Sequence, residues 1–379
     1  MTTGPVFTPP ASRPSRPASG PPIRVLIVDD SPMVRSVLQR QLSRDPGLEV
    51  VGTAPDPYQA RDLIAQLRPD VLTLDIEMPR MDGITFLKRL MQHYPMPVVI
   101  VSSIAERGGA MALEALAAGA FDAVCKPDSA VAIAEMGAAL CATVKAAHAA
   151  RARPVRPLPS LPPRPGRPAA ARVPRAPGHS NRSILAIGAS TGGTVALETI
   201  ITALPADTPG TVITQHMPPT FTRSLAERLD ARSQMEVREA EDGDDLVPGL
   251  ALIAPGDHHL IVQRDGARYQ VRVKDGPRVN NFRPSVDVMF QSVAQAAGRH
   301  AVGVILTGMG GDGARGLLEM KNAGAHTLAQ NRETCVVFGM PKVAIELGAV
   351  MEIVPIDGMA EAIGGAVAGL DEERAGPQP

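Results

Sequence analysis

Residues Arg182 to Thr194 read RSILAIGASTGGT. The apolar run at 184–187 has the length and composition of a buried strand. It ends in a glycine-rich turn, Gly188-Ala189-Ser190-Thr191-Gly192-Gly193, and a helical pattern begins near Thr194. Strand, tight turn and helix lift one side chain clear of a sheet edge, and here that side chain is Ser190. Two chemistries fit such a turn. Either Ser190 is a nucleophile, or the glycines cradle a phosphate.

Downstream, further apolar runs at 211–214, 250–253, 302–306, 326–328 and 351–354 predict more strands of an α/β unit. Three polar residues follow three of these runs: Ser190 after ILAIGA, His216 after TVITQ, and Asp312 after VGVILTGMGG. If the strands are parallel, a hydroxyl, an imidazole and a carboxylate gather on one edge of the sheet. His216 then takes the proton of Ser190, and Asp312 fixes the imidazole tautomer and stabilises its cation. Backbone N–H groups in turns 190–193 and 308–311 are candidate oxyanion donors. The rival is a dinucleotide-binding turn, which calls for an acidic residue at the end of the next strand to hold a ribose. Gln215-His216 stand there instead, and the P-loop lysine is missing.

Within residues 250–275 the pattern changes to alternation around Pro-Gly-Asp and Asp-Gly turn signals, predicting antiparallel hairpins inserted in the unit. His258 and His259 fall in one of these turns and read as turn residues. Asp257 and Asp287 compete with Asp312 as the triad carboxylate. Asp257 sits in a turn, and Asp287 opens a helix, where the dipole alone explains an acidic residue.

Upstream, residues 151–180 are about one third proline with interspersed arginine, the composition of an extended spacer. Before it, five apolar runs (23–28, 48–51, 71–74, 98–101, 121–124) alternate with five helical patterns. That alternation predicts a parallel sheet covered on both faces. Asp29 and Asp30 follow the first run, Asp75 the third, Ser102 the fourth and Lys126 the fifth. Strand carboxyl ends line the crevice of such a sheet. Three carboxylates converging there call for a hard cation such as Mg²⁺. With a hydroxyl and an ammonium added, the edge is suited to accept a phosphoryl group.

The whole chain has 379 residues, 38 Lys+Arg against 39 Asp+Glu, and 44% hydrophobic residues, enough for two cores and without a charge bias toward nucleic acid or membrane. Its three scattered cysteines form neither a disulfide framework nor a metal spacing, which fits a reducing cytoplasm. No run reaches membrane-spanning length, so the chain is expected not to be membrane-inserted. Scarce aromatics argue against stacking on single-stranded nucleic acid, and a helix-turn-helix signal is missing. The expected division is a disordered tail at 1–22, a first domain at 23–149, a Pro/Arg-rich linker at 150–181, a second domain at 182–370 and a polar tail at 371–379.

VDDSPMVR (28–35) and LDIEMPRMDGITFL (74–87), followed by the serine and Lys-Pro, resemble the receiver domain of two-component response regulators. The resemblance implies a flavodoxin-like fold with a five-stranded parallel sheet, and phosphorylation of Asp75 by a sensor histidine kinase. It implies Mg²⁺ held by Asp30, Asp75 and the Glu77 carbonyl, with Asp29 helping through water. Ser102 and Lys126 then contact the phosphoryl group.

GASTGG, QHMPPTFTRSLAERL, APGDHHL, RPSVDVMF and LTGMGGDGARG, in that order, resemble the catalytic domain of chemotaxis protein-glutamate methylesterases. That implies a doubly wound α/β domain with an antiparallel hairpin insertion, and Ser190, His216 and Asp312 as a serine-hydrolase triad. It implies Thr191 and Met309 as backbone neighbours of the bound ester, and a larger role for His259 than a turn residue has. The substrates implied are glutamate methyl esters and selected glutamines of methyl-accepting chemoreceptors, with no cofactor in the esterase step. A receiver in front of such a unit implies control, the unphosphorylated receiver covering the Ser190 edge. Two other classes are a regulator whose second domain only binds a ligand, and a nucleotide-dependent oxidoreductase.

Overall fold

The structure, a computed structural model, describes residues 21–102, 106–126, 130–150, 183–266 and 268–375. The tail expected at the amino terminus falls almost wholly outside these residues, as do the Pro/Arg-rich linker and the last four residues of the chain.

The amino-terminal unit alternates as its apolar runs predict. It comprises β1 (Ile23–Val28), α1 (Pro32–Leu42), β2 (Leu48–Ala54), α2 (Pro57–Leu67) and β3 (Val71–Leu74). Then come α3 (Gly83–His93), β4 (Val98–Ser102), α4 (Glu106–Ala117), β5 (Asp122–Cys125) and α5 (Ala130–Ala150). All five strands pair in parallel, in the order β2-β1-β3-β4-β5. Helix starts are written locally. Ser31, Asp56 and Asp82 cap α1, α2 and α3 through their side chains, and Pro32 and Pro57 occupy first positions where no N–H is needed. Val28 pairs with Leu74, so Asp29 and Asp75 leave the sheet side by side.

The second unit runs β6 (Ile184–Ala189), α6 (Gly193–Ala203), β7 (Gly210–Gln215), α7 (Phe221–Asp230), β8 (Glu236–Glu239), β9 (Asp245–Leu246) and β10 (Leu250–Ile253). It continues β11 (His259–Asp265), β12 (Arg268–Lys274), α8 (Val286–Ala297), β13 (Ala301–Ile305) and α9 (Ala314–Asn322). It ends with β14 (His326–Gln330), α10 (Met340–Glu346), β15 (Glu352–Val354) and α11 (Met359–Ala375). Seven strands form one parallel sheet, ordered β15-β14-β13-β6-β7-β10-β8. The chain leaves β6 first toward β7 and later returns to β13 on its other side. The crevice of a doubly wound sheet opens where the order reverses in this way, at the carboxyl end of β6.

Three details differ from the sequence reading. Of the turn signals in 250–275, Asp-Gly closes a hairpin between β11 and β12, whereas Pro-Gly-Asp connects β10, a parallel strand of the main sheet, to β11 of a separate three-stranded sheet. The edge strand β8, EVRE, has no apolar run to announce it, because only Val237 in it is buried. Helix α11 passes Leu370 and reaches Ala375, since Glu and Arg continue a helix as readily as they form a tail.

Leu185, Ala186 and Ile187 of β6 are wholly buried, and burying each large aliphatic side chain is worth about 1.5–3 kcal/mol. A slip of one residue would bring a side chain to the place of Gly188, where a Cβ would stand 2.2 Å from Val286 Cγ1, so the level at which Ser190 emerges is set by packing.

Candidate active site and phosphoacceptor site

Ala189 pairs with Gln215, the last residues of β6 and β7, and His216 N donates to Ala189 O at 3.1 Å. Ser190 and His216 therefore begin their loops side by side. Asp312 arrives from the loop after β13, which lies on the other flank of β6. Its Oδ2 stands 2.8 Å from His216 Nε2. The structure thus brings the three sequence-identified residues to one edge of one sheet.

Asp312 is 1% exposed yet fully bonded. Oδ2 also accepts from Val286 N at 2.6 Å. Oδ1 accepts from Asn280 Nδ2 at 2.7 Å, Ser285 Oγ at 2.8 Å and Asp287 N at 3.4 Å. Ser285 caps α8, so the carboxylate sits on a helix amino terminus. Burial pushes its pKa up, but the His216, Asn280 and Ser285 contacts outweigh burial and hold it below the usual carboxylate value. An ionised carboxylate only accepts, so His216 Nε2 carries the proton. His216 Nδ1 is buried and has no partner among the described residues. The imidazole thus offers Nδ1, not Nε2, as its proton-accepting nitrogen. Phe282 stacks on the ring at 3.7 Å between centroids and 5° between planes, covering one face.

Ser190 N donates to Thr307 O at 3.0 Å, and Gln215 Nε2 donates to Ser190 O at 2.9 Å. Gly308 lies against Ser190. A Cβ there would come 2.7 Å from Ser190 Cβ and 2.2 Å from Met340 Sδ, a space that only glycine fits. The N–H groups of Thr191 and Met309 have no acceptor among the described residues. Such free, fixed donors suit a developing oxyanion.

Sequence reasoning missed Asn280, Phe282 and Ser285, and it left Asp287 to the helix dipole. Asn280 Nδ2 also donates to Asp287 Oδ2 at 2.7 Å, so Asp287 joins the network instead of facing solvent. His259 is buried; its Nε2 lies 2.9 Å from Pro277 O and its Nδ1 accepts from Ser285 N at 3.3 Å. It therefore braces the Ser285 cap and is more than a turn residue. His258 Nε2 lies 3.4 Å from Asp275 Oδ1, and Asp257 pairs with Arg283 at 2.8 Å.

In the amino-terminal unit, the carboxylates of Asp29, Asp30 and Asp75 offer oxygens within 4.8 Å of one another. Lys126 Nζ lies 2.6 Å from Asp75 Oδ2 and 3.0 Å from Asp29 Oδ2. Burial pushes Asp75 up to about 6 against the pull of Lys126, with the Asp29 charge adding to the rise. Asp29 is raised for the same first reason. Ser102 Oγ is buried without a partner among the described residues. A pocket with an unspent hydroxyl, an ammonium and carboxylates reluctant to ionise fits both a divalent ion and a phosphoryl group. Glu77 N donates to Asp75 Oδ1 at 3.3 Å, which places Glu77 on the same loop edge.

The two units meet beside Ser190. Thr191 Oγ1 donates to Asp122 Oδ2 of β5 at 2.7 Å. Val336 and Val337 pack against the amino-terminal core, while α4 packs on α6 and α7. Ser190 in this arrangement is 7% exposed. No helix among the described residues is long and apolar enough to cross a membrane.

Comparison with known proteins agrees with both halves. The family model for CheB methylesterase matches residues 185–363, and that for the response regulator receiver domain matches 25–136. A protein-glutamate methylesterase/protein-glutamine glutaminase 4 of Anaeromyxobacter dehalogenans is 57% identical over 363 residues, covering 96% of this chain and 98% of the relative. The protein-glutamate methylesterase/protein-glutamine glutaminase of Escherichia coli O157:H7 is 50% identical over 344 residues, covering 89% and 95%. The solved catalytic domain of Thermotoga maritima CheB methylesterase is 43% identical, with a TM-score of 0.47, covering 48% of this chain and 96% of that one. On these sequence relationships, over nearly its whole length, the chain belongs to the family of protein-glutamate methylesterases/protein-glutamine glutaminases built from a receiver and a CheB methylesterase domain.

Proposed function

We propose that Ser190, His216 and Asp312 hydrolyse glutamate methyl esters, and deamidate glutamines, on chemoreceptors during chemotactic adaptation. The observation that carries this reading is the 2.8 Å His216–Asp312 contact at the strand end beside Ser190, with His216 Nδ1 left unpartnered. Ser190 Oγ attacks the carbonyl carbon while His216 Nδ1 takes its proton. The imidazolium, stabilised through Nε2 by Asp312, returns that proton to the leaving methanol or ammonia. Water, deprotonated by Nδ1, then attacks the acyl carbon; the bond to Ser190 Oγ breaks and the imidazolium returns the proton to that oxygen, releasing the glutamate. Thr191 and Met309 N–H groups hold the oxyanion, each such donor being worth about 2.7–4 kcal/mol in comparable sites.

The receiver reading assigns Asp75 as phosphoacceptor, with a sensor histidine kinase as donor. Asp29, Asp30, Asp75 and the Glu77 carbonyl would hold Mg²⁺, and Ser102 and Lys126 would contact the phosphoryl oxygens. Mg²⁺ when bound offsets the charge of the phosphoryl oxygens and of the clustered carboxylates. We read the chain as two domains, the first at 23–149 and the second from 182 to the end of α11, supported by the separate parallel sheet in each. With the receiver docked, Ser190 is enclosed; phosphorylation of Asp75 shifts the pair toward an undocked, active form. The setting is cytoplasmic, where receptor helices and kinase are both within reach.

The direct test is methanol release from membranes carrying methylated chemoreceptors, with and without a small acyl phosphate as phosphodonor. Ser190→Ala should abolish release, and Asp75→Ala should abolish stimulation by the donor. Undiminished release by Ser190→Ala would sink the catalytic assignment. Equal stimulation of wild type and Asp75→Ala would sink the regulatory one.

A further inference from the structure

We propose that Asn280 and Asp287 form a positioning pair that sets the orientation of the Asp312 carboxylate toward His216. The inference rests on the triad assignment above and adds to it two residues that, among the described residues, hydrogen-bond to neither Ser190 nor His216.

Among the donors that hold Asp312, Val286 N, Asp287 N and Ser285 Oγ all come from one helix start. A carboxylate held from that side alone keeps freedom to pivot. Asn280 approaches from the loop before α8 and holds Oδ1 at 2.7 Å. Its backbone is left-handed, with φ +53°, a conformation that asparagine tolerates better than most residues.

An asparagine amide has one nitrogen with two hydrogens, and here that nitrogen serves two carboxylates at 2.7 Å each, Asp312 and Asp287. A flipped amide would set its oxygen against both anions. Asp287 therefore fixes which way Asn280 points. Asp287 is itself anchored, because its Oδ1 accepts from Gly316 N at 2.7 Å in the first turn of α9. A Cβ on Gly316 would lie 2.8 Å from Asp287 O, so the two helices touch at that point through backbone.

The helix dipole does not account for Asp287 alone. An exposed carboxylate at the start of α8 would gain the dipole without leaving water, whereas Asp287 is 4% exposed and stands beside a second carboxylate. Burial pushes its pKa up, and the Asp312 charge adds to that. What it obtains there are the Gly316 N–H and the Asn280 amide. The consequence for the reaction is geometric. With Asp312 Oδ2 held on Nε2, the imidazole keeps the tautomer that leaves Nδ1 free for the Ser190 proton.

The test uses the full chain, activated by a small acyl phosphate, and methylated receptor membranes. Asn280→Gly removes the amide while accepting the left-handed backbone. Asp287→Asn keeps the volume and the bond from Gly316, but turns an NH₂ toward Asn280. Each variant should lower kcat by about tenfold to a hundredfold, the range for a misplaced catalytic group, with KM within about twofold. The double variant should be no slower than Asn280→Gly, since Asp287 acts through Asn280. Independent, multiplying effects would overturn the pairing, as would kcat unchanged in Asn280→Gly. If Asn280→Gly fails to fold, Asn280→Ala, which also removes the amide, makes the same prediction, and if Asp287→Asn fails, Asp287→Ala takes its place. Activity retained by Ser190→Ala would refute the triad itself. Loss in Ser190→Ala with full activity in Asn280→Gly would refute this inference alone.

Discussion

Thr191 Oγ1 and Asp122 Oδ2, 2.7 Å apart, join the residue after Ser190 to the last strand of the receiver sheet. Asp122 lies on the strand that Lys126 follows, and Lys126 in turn touches Asp75. One short strand thus has the ammonium that touches Asp75 at one end and a bond to the Ser190 turn at the other.

If that bond holds the receiver down, Asp122→Ala should raise methanol release in the absence of phosphodonor. Hydrogen bonds to charged groups contribute about 1.5–3 kcal/mol, and the partly exposed Asp122 belongs at the lower end, so the rise should be roughly tenfold or less. The fully phosphorylated rate should stay as in wild type. A basal rate identical to wild type would mean that docking does not depend on this contact.

All five groups around Asp312 are donors, so an amide in its place must turn its NH₂ toward some of them. Asp312→Asn should cut kcat by about three to four orders of magnitude, the scale of losing the correct tautomer in a triad. Stability should also fall with acid. Because the folded pKa lies below the ordinary 3.8, the stabilisation from Asp312 is complete above that value and is lost as pH falls through the folded one. Wild type should therefore lose more stability than Asp312→Asn across that acid window, measured by chemical denaturation. Parallel curves would show that the carboxylate is not held as described.

For Asp75 the sign is opposite. Its folded value, about 6, lies above 3.8, so the fold favours the protonated carboxyl. That contribution is complete below 3.8 and gone as pH rises through about 6, where the ionised group faces Asp29 and Asp30 with Lys126 in contact. Added Mg²⁺ should relieve the repulsion. Its effect on the receiver's unfolding temperature should be larger above about pH 6 than below. Equal shifts on both sides would remove Asp75 from the ion site.

Gly308→Ala places a methyl group against Ser190 Cβ and Met340 Sδ. Displacing Ser190 by a fraction of an ångström should lower kcat up to about a hundredfold with KM little changed. A crystal structure of the variant should show Ser190 moved. Full activity would mean that the Met340 side chain yields instead and the serine position does not depend on this glycine.

Much of both sites was legible because most of the key side chains follow a short, largely apolar run. Such a run reads as a buried strand whose last residue emerges at the crevice, although β5, with Asp122 in it, is only half-buried. Asp29, Asp75, Ser102, Lys126, Ser190 and His216 were singled out in this way, and the structure puts each at the end of its strand. Asn280 and Phe282 were not, because VNNFRP carries no period. The only local hint was a pair of asparagines where the backbone turns left-handed, at φ +53° and +71°. Asp287 was legible as a helix start and misleading for that reason. The dipole explains its place along the chain but not its burial against Asp312.

By itself, then, the sequence determined the two parallel sheets, the residues at their strand ends and the family, since hydrophobic periodicity and short motifs are local properties. Only the tertiary structure decided which imidazole nitrogen faces Asp312, that Phe282 covers the ring, that Asn280 bridges two carboxylates, and that Asp122 reaches Thr191. Those relationships join residues far apart in the chain through hydrogen bonds that depend on angles and distances, which become definite only when the cores have packed.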